Sequence, residues 1–88
     1  MEIQLKLYGS SRILSDKDTL NIKLPKNSSI EKLRNVLEKI ISEKYSESNL
    51  KNLPNTAAFF SENNIVVSDT YKLKDKELIS IIPPIGGG

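Results

Sequence analysis

A single stretch of this sequence carries a helical period, and the segments around it alternate or turn. In "SSIEKLRNVLEKIISEKYSE" the apolar residues Ile30, Leu33, Val36, Leu37, Ile40 and Ile41 recur on one side of a helix. Ser28 followed three residues on by Glu31 is a capping-box pattern, and Lys39 and Lys44 suit the negative end of the helix dipole. The pattern predicts a helix over 29–44. With no second long stripe to pair with, that helix has to bury its apolar side against a sheet.

The flanking segments supply the strands. "EIQLKLY" (2–8) alternates, with Ile3, Leu5 and Leu7 facing one way and Glu2, Gln4 and Lys6 the other. "TLNIKL" (19–24) repeats the alternation through Leu20, Ile22 and Leu24 until Pro25 stops it. The turn-rich "GSSRILSDKD" between them reads as the loop of an antiparallel hairpin. After the helix, 45–56 reads as a loop with a turn of helix around Leu50 and Leu53. "AAFFS" and "IVVS", separated by "ENN", read as strand, turn and strand. "TYKLKDKEL" is a polar connection to a last strand, "LISII" (78–82), which is apolar on both faces and therefore central, beside the first strand.

The order β-β-α-β-β-β defines an α+β fold, a β-grasp. It is a mixed four- or five-stranded sheet with one main helix across one face. Its expected core includes Leu5, Leu7, Ile22, Leu33, Leu37 and Ile40. Residues 1–82 form the domain and 83–88 an extended tail.

Composition narrows the chemistry. The chain has 88 residues and neither cysteine nor histidine, so no disulfide or thiolate-held metal supports the fold. The commonest general base and the thiol nucleophile are missing too, and no metal site is expected. A net charge of +2 with both signs interspersed gives no nucleic-acid footprint. No apolar run approaches a membrane span and no basic-then-apolar leader opens the sequence, so a cytoplasmic location is expected.

The sequence closes on "ISIIPPIGGG". Pro83 and Pro84 lack an N–H and have fixed φ, which sends the chain out of the sheet in an extended direction. Gly86, Gly87 and Gly88 make a thread that can enter a channel too narrow for any Cβ. At its end the Gly88 carboxylate, with an ordinary pKa of roughly 3.5, is ionised and unreactive until another enzyme activates it. With Ile79 and Ile81 facing the helix, Leu78 and Ile82 face away, and with Ile85 they would give the tail an apolar collar for a partner. Terminal glycines alone commonly mark a frayed end. The rigid diproline and the central strand before them are what give this tail its meaning.

That ending resembles the small, sulfur-carrying subunit of molybdopterin synthase, the MoaD type, of the ubiquitin-like β-grasp superfamily. Pro83-Pro84 match its diproline, Ile85-Gly86 its variable pair and Gly87-Gly88 its terminal diglycine. "LKDKELISIIPP" is similar to the family's Leu-x-Asp-Gly-Asp-x-Val stretch, with Leu73 and Asp75 in place, while Lys76 stands at a turn glycine and Glu77 at the second Asp. "LYGSSRIL" resembles its first-strand ending, with Tyr8 at an aromatic position and Arg12 at a basic one.

The resemblance implies that an ATP-dependent activating enzyme adenylates Gly88 and that a sulfur donor system converts it to a thiocarboxylate. The tail would then enter the large synthase subunit, in a heterotetramer, and give its sulfur to cyclic pyranopterin monophosphate during molybdenum cofactor biosynthesis. This chain would be a carrier subunit of a sulfurtransferase, not a catalyst alone. It would bind no cofactor, membrane or nucleic acid, and would carry only the thiocarboxylate. Two alternatives belong to other classes. One is another ubiquitin-like diglycine carrier or protein modifier, serving thiamine or tRNA thiolation or attaching to lysines. The other is a plain interaction module whose tail is idle.

Overall fold

The computed structural model describes residues 1–44 and 49–84. The first alternating segment becomes β1 (Glu2–Leu7), with Ile3, Leu5 and Leu7 buried and Glu2 and Gln4 exposed. It pairs antiparallel with β2 (Thr19–Lys23), placing Ile3 opposite Ile22 and Leu5 opposite Leu20. The connection between them is more ordered than an open loop, because Gly9–Leu14 winds into a 3-10 turn.

The helical stripe forms α1 (Ile30–Lys44). A 3-10 turn at Asn49–Asn52 and the single helical turn α2 (Leu53–Thr56) follow, burying Leu50, Leu53 and Pro54. β3 (Ala58–Phe60) and β4 (Leu78–Ile82) complete the sheet. Its order is β2-β1-β4-β3, with β1 and β4 parallel in the middle and the outer pairs antiparallel. The last strand is central and lies beside the first, as its two-sided apolar character predicts.

α1 contributes Ile30, Leu33, Leu37 and Ile41 to one core with Ile3, Leu5, Leu7, Ile22, Phe59, Ile79 and Ile81. Two expectations are corrected here. Ile40 is only half-buried and Ile41 takes the core position, because a helix resting on a sheet buries one arc and six apolar residues overfill it.

The capping box does not form either. Ser28 Oγ donates to the Pro25 carbonyl at 2.7 Å, and the first helical N–H groups, of Ile30 and Glu31, donate to the carbonyls of Tyr71 and Asp69, both at 3.0 Å. Tertiary acceptors thus satisfy the donors that a helix start leaves free. Arg34, on the same helix, donates through Nε to Asp69 and through Nη1 to the carbonyls of Pro54 and Ala57. Its guanidinium lies 4.8 Å from the centre of the Phe59 ring, tying α1 to the loops beside β3.

The strand expected at 65–68 shrinks to one isolated bridge, between Phe60 and Val66. Ile65 and Val66 are each 61% exposed, so extending the pairing would bury no further apolar surface. Among the described residues the sheet therefore has four strands, within the expected range. No helix among the described residues is long and apolar enough to cross a membrane.

Candidate functional site at the exit of the central strand

β4 alternates in burial although its composition does not. Ile79 and Ile81 are 0% exposed beneath α1, whereas Leu78, Ser80 and Ile82 are half-buried on the opposite face. The register completes that outer face. Ala58 lies opposite Ile82 and Phe60 opposite Ser80, and Val66 bridges to Phe60 from the far side. Toward β1 the neighbours turn polar, with Gln4 beside Leu78 and Lys6 beside Ser80, and Asn21 and Thr19 lie beyond them on β2. The open face is apolar over β3 and β4 and polar over β1 and β2.

Leu78 and Ile82, nominated from the sequence as partner-binding, share this face. Ile85, Gly86, Gly87 and Gly88 lie outside the described residues. Sequence reasoning missed Ala58, Phe60 and Val66. The signal was present in the alternation of "AFF": burying Phe59 on the helix side turns both of its neighbours outward.

At the entry end of β4 the residues that resemble the family's turn have structural work. Leu73 is buried, and its N–H donates to the Ser28 carbonyl at 2.8 Å. Asp75 Oδ1 accepts the Glu2 N–H at 2.8 Å, and Lys76 N–H donates to the Glu2 carbonyl at 2.6 Å. Lys76 has φ 65°, the left-handed conformation that glycine takes without strain, so the lysine makes a left-handed turn of the kind glycine favours. Glu77 reaches back with both oxygens, accepting the Lys74 N–H at 2.8 Å and the Tyr71 hydroxyl.

That hydroxyl bond raises the Tyr71 pKa above its ordinary value, and burial and the charges of Glu77 and Glu62 push it the same way. A cleft of about 660 Å³ opens beside this turn, lined by residues that include Glu62, Val66, Tyr71 and Glu77. At the exit end Pro83 is half-buried and Pro84 exposed. Tyr8, 40% exposed, stands near the parallel end of β1 with Lys6 Nζ 5.5 Å from its ring centre.

This architecture is the ubiquitin-like β-grasp. Solved structures that share it include SAMP1 from Haloferax volcanii, 12% identical, with a TM-score of 0.69 over 100% of both chains. A protein from Pyrococcus furiosus assigned as molybdopterin converting factor, subunit 1, is 23% identical, with a TM-score of 0.69 over 96% of this chain and 98% of that one. The complex of subunits 1 and 2 of the molybdopterin-converting factor from Helicobacter pylori contains a chain 21% identical, with a TM-score of 0.58 over 100% of both. No protein-family model matches the sequence, and no curated protein matches it. At these identities the likeness is one of fold, and the fold is the one shared by the MoaD-type proteins that the tail resembles.

Proposed function

We propose that the protein is a ubiquitin-like sulfur carrier acting in molybdenum cofactor biosynthesis as the small subunit of molybdopterin synthase. The observation that carries this reading is the placement of β4. A strand locked in the centre of the sheet delivers Pro83 and Pro84 to the sheet's end, beside an outer face that is apolar from Leu78 and Ile82 to Phe60. A partner that docks on that face receives the tail that follows.

In this reading a Gly88 carboxylate oxygen displaces pyrophosphate from ATP on an activating enzyme. Sulfur at the sulfide level, from a donor system, then displaces AMP and leaves the thiocarboxylate. Gly86 and Gly87 thread the partner's channel while Leu78, Ile82 and Ile85 hold the collar. The catalytic groups belong to the large subunit, where the pterin receives the sulfur, so this chain needs no bound cofactor. Intact mass after co-expression with an activating enzyme and a sulfur donor tests it. The expected change is the exchange of one oxygen for one sulfur, lost when Gly88 is deleted. A wild-type mass that stays unchanged would remove the carrier reading.

The likeness to SAMP1, a small archaeal modifier protein, equals in TM-score the likeness to the Pyrococcus protein and favours a second use of the same tail. The activated Gly88 carbonyl would then pass to a lysine amine, forming an isopeptide bond. Conjugates carrying a Gly-Gly remnant on lysine after proteolysis would distinguish this from sulfur transfer.

A further inference from the structure

β1 and β4 run parallel from Gln4 beside Leu78 to Leu7 beside Ile81, and the Gln4 N–H donates to the Glu77 carbonyl at 2.9 Å. Bonds in a parallel ladder recur at every second residue. One step past Lys6, Tyr8 would donate to the Ile81 carbonyl and accept from the nitrogen of residue 83. Residue 83 is a proline and has no hydrogen to give.

The corner after β1 supplies what the ladder cannot. Ser11 Oγ accepts the Tyr8 N–H at 3.0 Å and donates to the Tyr8 carbonyl at 2.6 Å, while the Ser11 N–H bonds to the same carbonyl at 3.2 Å. Ser11 is 0% exposed, a buried hydroxyl used in both directions. Gly9 turns at φ +57°, and a Cβ built on it would stand 3.6 and 3.7 Å from Cγ and Cδ of Pro83. The proline ring therefore lies over the glycine, with room for little more than that Cβ between them.

We infer that the corner formed by Tyr8, Gly9 and Ser11 is a guide for the tail. It occupies both Tyr8 ladder groups, which stops β4 from continuing along β1, and it gives the Pro83 ring a floor that sets the direction of exit. Gly9 and Ser11 are then positioning residues. They touch no reacting atom, but they aim a thread whose end must meet a partner's site. The activity part of this inference rests on the carrier function proposed above; the structural part does not.

The test uses the full chain as wild type, Ser11→Ala, Gly9→Ala, Pro83→Ala and the Ser11→Ala/Pro83→Ala double variant. Amide exchange at residue 83 reads the ladder. In Pro83→Ala alone the new N–H should exchange freely, because Ser11 still holds Tyr8. In the double variant it should be protected more than about tenfold, having gained the Tyr8 carbonyl. With the activating enzyme, Ser11→Ala and Gly9→Ala should each lower kcat for adenylation about tenfold and leave KM within about twofold, as expected for misaimed rather than weakened binding. Equal exchange at residue 83 in the two proline variants overturns the ladder stop, and unchanged kcat in both corner variants overturns the aiming. If the wild type is not adenylated at all, the carrier function fails, while the exchange comparison still decides the guide.

Discussion

Where β4 begins, every turn of the chain is tied down; where it ends, the means of tying are withdrawn. At the entry, Leu73 is buried, Asp75 and Lys76 bracket the backbone of Glu2, and Glu77 closes on Lys74 and Tyr71. At the exit, two prolines offer no donor, and Ser11 satisfies the backbone of Tyr8, the residue just past β1. Both ends resemble the same family motif, yet they do different work. The entry residues act on the stability of a small domain with little to spare, and in the proposed function the exit residues act on what the tail can reach. Changes at the entry should therefore move stability without moving partner binding, and changes at the exit the reverse.

The largest effect is expected at the entry. Leu73→Ala would empty a core position that is 4% exposed and should cost about 2–5 kcal/mol in chemical denaturation. Tail activity at a temperature where the variant is folded should equal that of the wild type. A selective loss of tail activity in fully folded protein would break the division between the ends.

Next comes Ile82→Asp at the exit. Ile82 is half-buried on the outer face opposite Ala58, so a carboxylate there remains hydrated in the free protein and is desolvated only under a partner. Affinity for the large synthase subunit of the proposed complex, measured by calorimetry, should fall by about 2 kcal/mol or more, roughly thirtyfold. The folding free energy should change by less than about 1.5 kcal/mol. Unchanged affinity would take this half of the sheet out of the docking surface. Phe60→Asp on β3 extends the test to a residue the sequence did not single out.

A smaller effect is expected for Tyr71→Phe, which deletes the hydroxyl bonded to Glu77. The loss should be about 1 kcal/mol at neutral pH. The carboxylate holds the phenol proton, so the folded pKa lies above the unfolded value of about 10. The stabilisation is thus present in full below pH ~10 and disappears as pH rises through the raised folded value. Stability curves of the two proteins should run parallel to about pH 9 and converge above 10. Parallel curves throughout would mean that this bond does not contribute to closing the entry turn.

The sequence yields most where burial is one-sided and local. Ile3, Leu5 and Leu7 against Glu2, Gln4 and Lys6 define β1 without its partners, and the α1 stripe is found to within a residue of its start. The centrality of β4 follows from its lack of polar alternation. The failures have a common physical source, partners remote in sequence. Ser28 and Glu31 read as a cap, but the carbonyls that satisfy the helix start come from Asp69 and Tyr71, some forty residues on. Ile65 and Val66 read as a strand because their types favour one, yet no layer covers them. Gly9–Leu14 reads as a loop, since neither Ser11 closing on Tyr8 nor Gly9 meeting Pro83 shows in composition. For the candidate site, Leu78 and Ile82 were readable from the period of β4, while Ala58, Phe60 and Val66 needed the register of β3.

The smallest effect sharpens the contrast most, because it asks whether an entry residue can depart from the motif at almost no cost. Lys76 sits at φ 65° with its N–H bonded to the Glu2 carbonyl at 2.6 Å, so the turn is made in full by a residue that strains to make it. A side chain in the left-handed region costs about 1–2 kcal/mol, which glycine would relieve. Glycine also widens the unfolded ensemble, returning about 0.4–1 kcal/mol of that gain. Lys76→Gly should therefore stabilise the domain by between nothing and about 1.6 kcal/mol, seen as a small rise in the denaturant midpoint at constant slope. Lys76→Val, branched at Cβ, should destabilise it. Neither should alter activation of the tail at the far end of the strand. If Lys76→Gly instead destabilises by more than about 1 kcal/mol, the lysine side chain itself contributes at the entry. If it stabilises but slows the tail, the two ends of β4 are coupled, and the division of work between them fails.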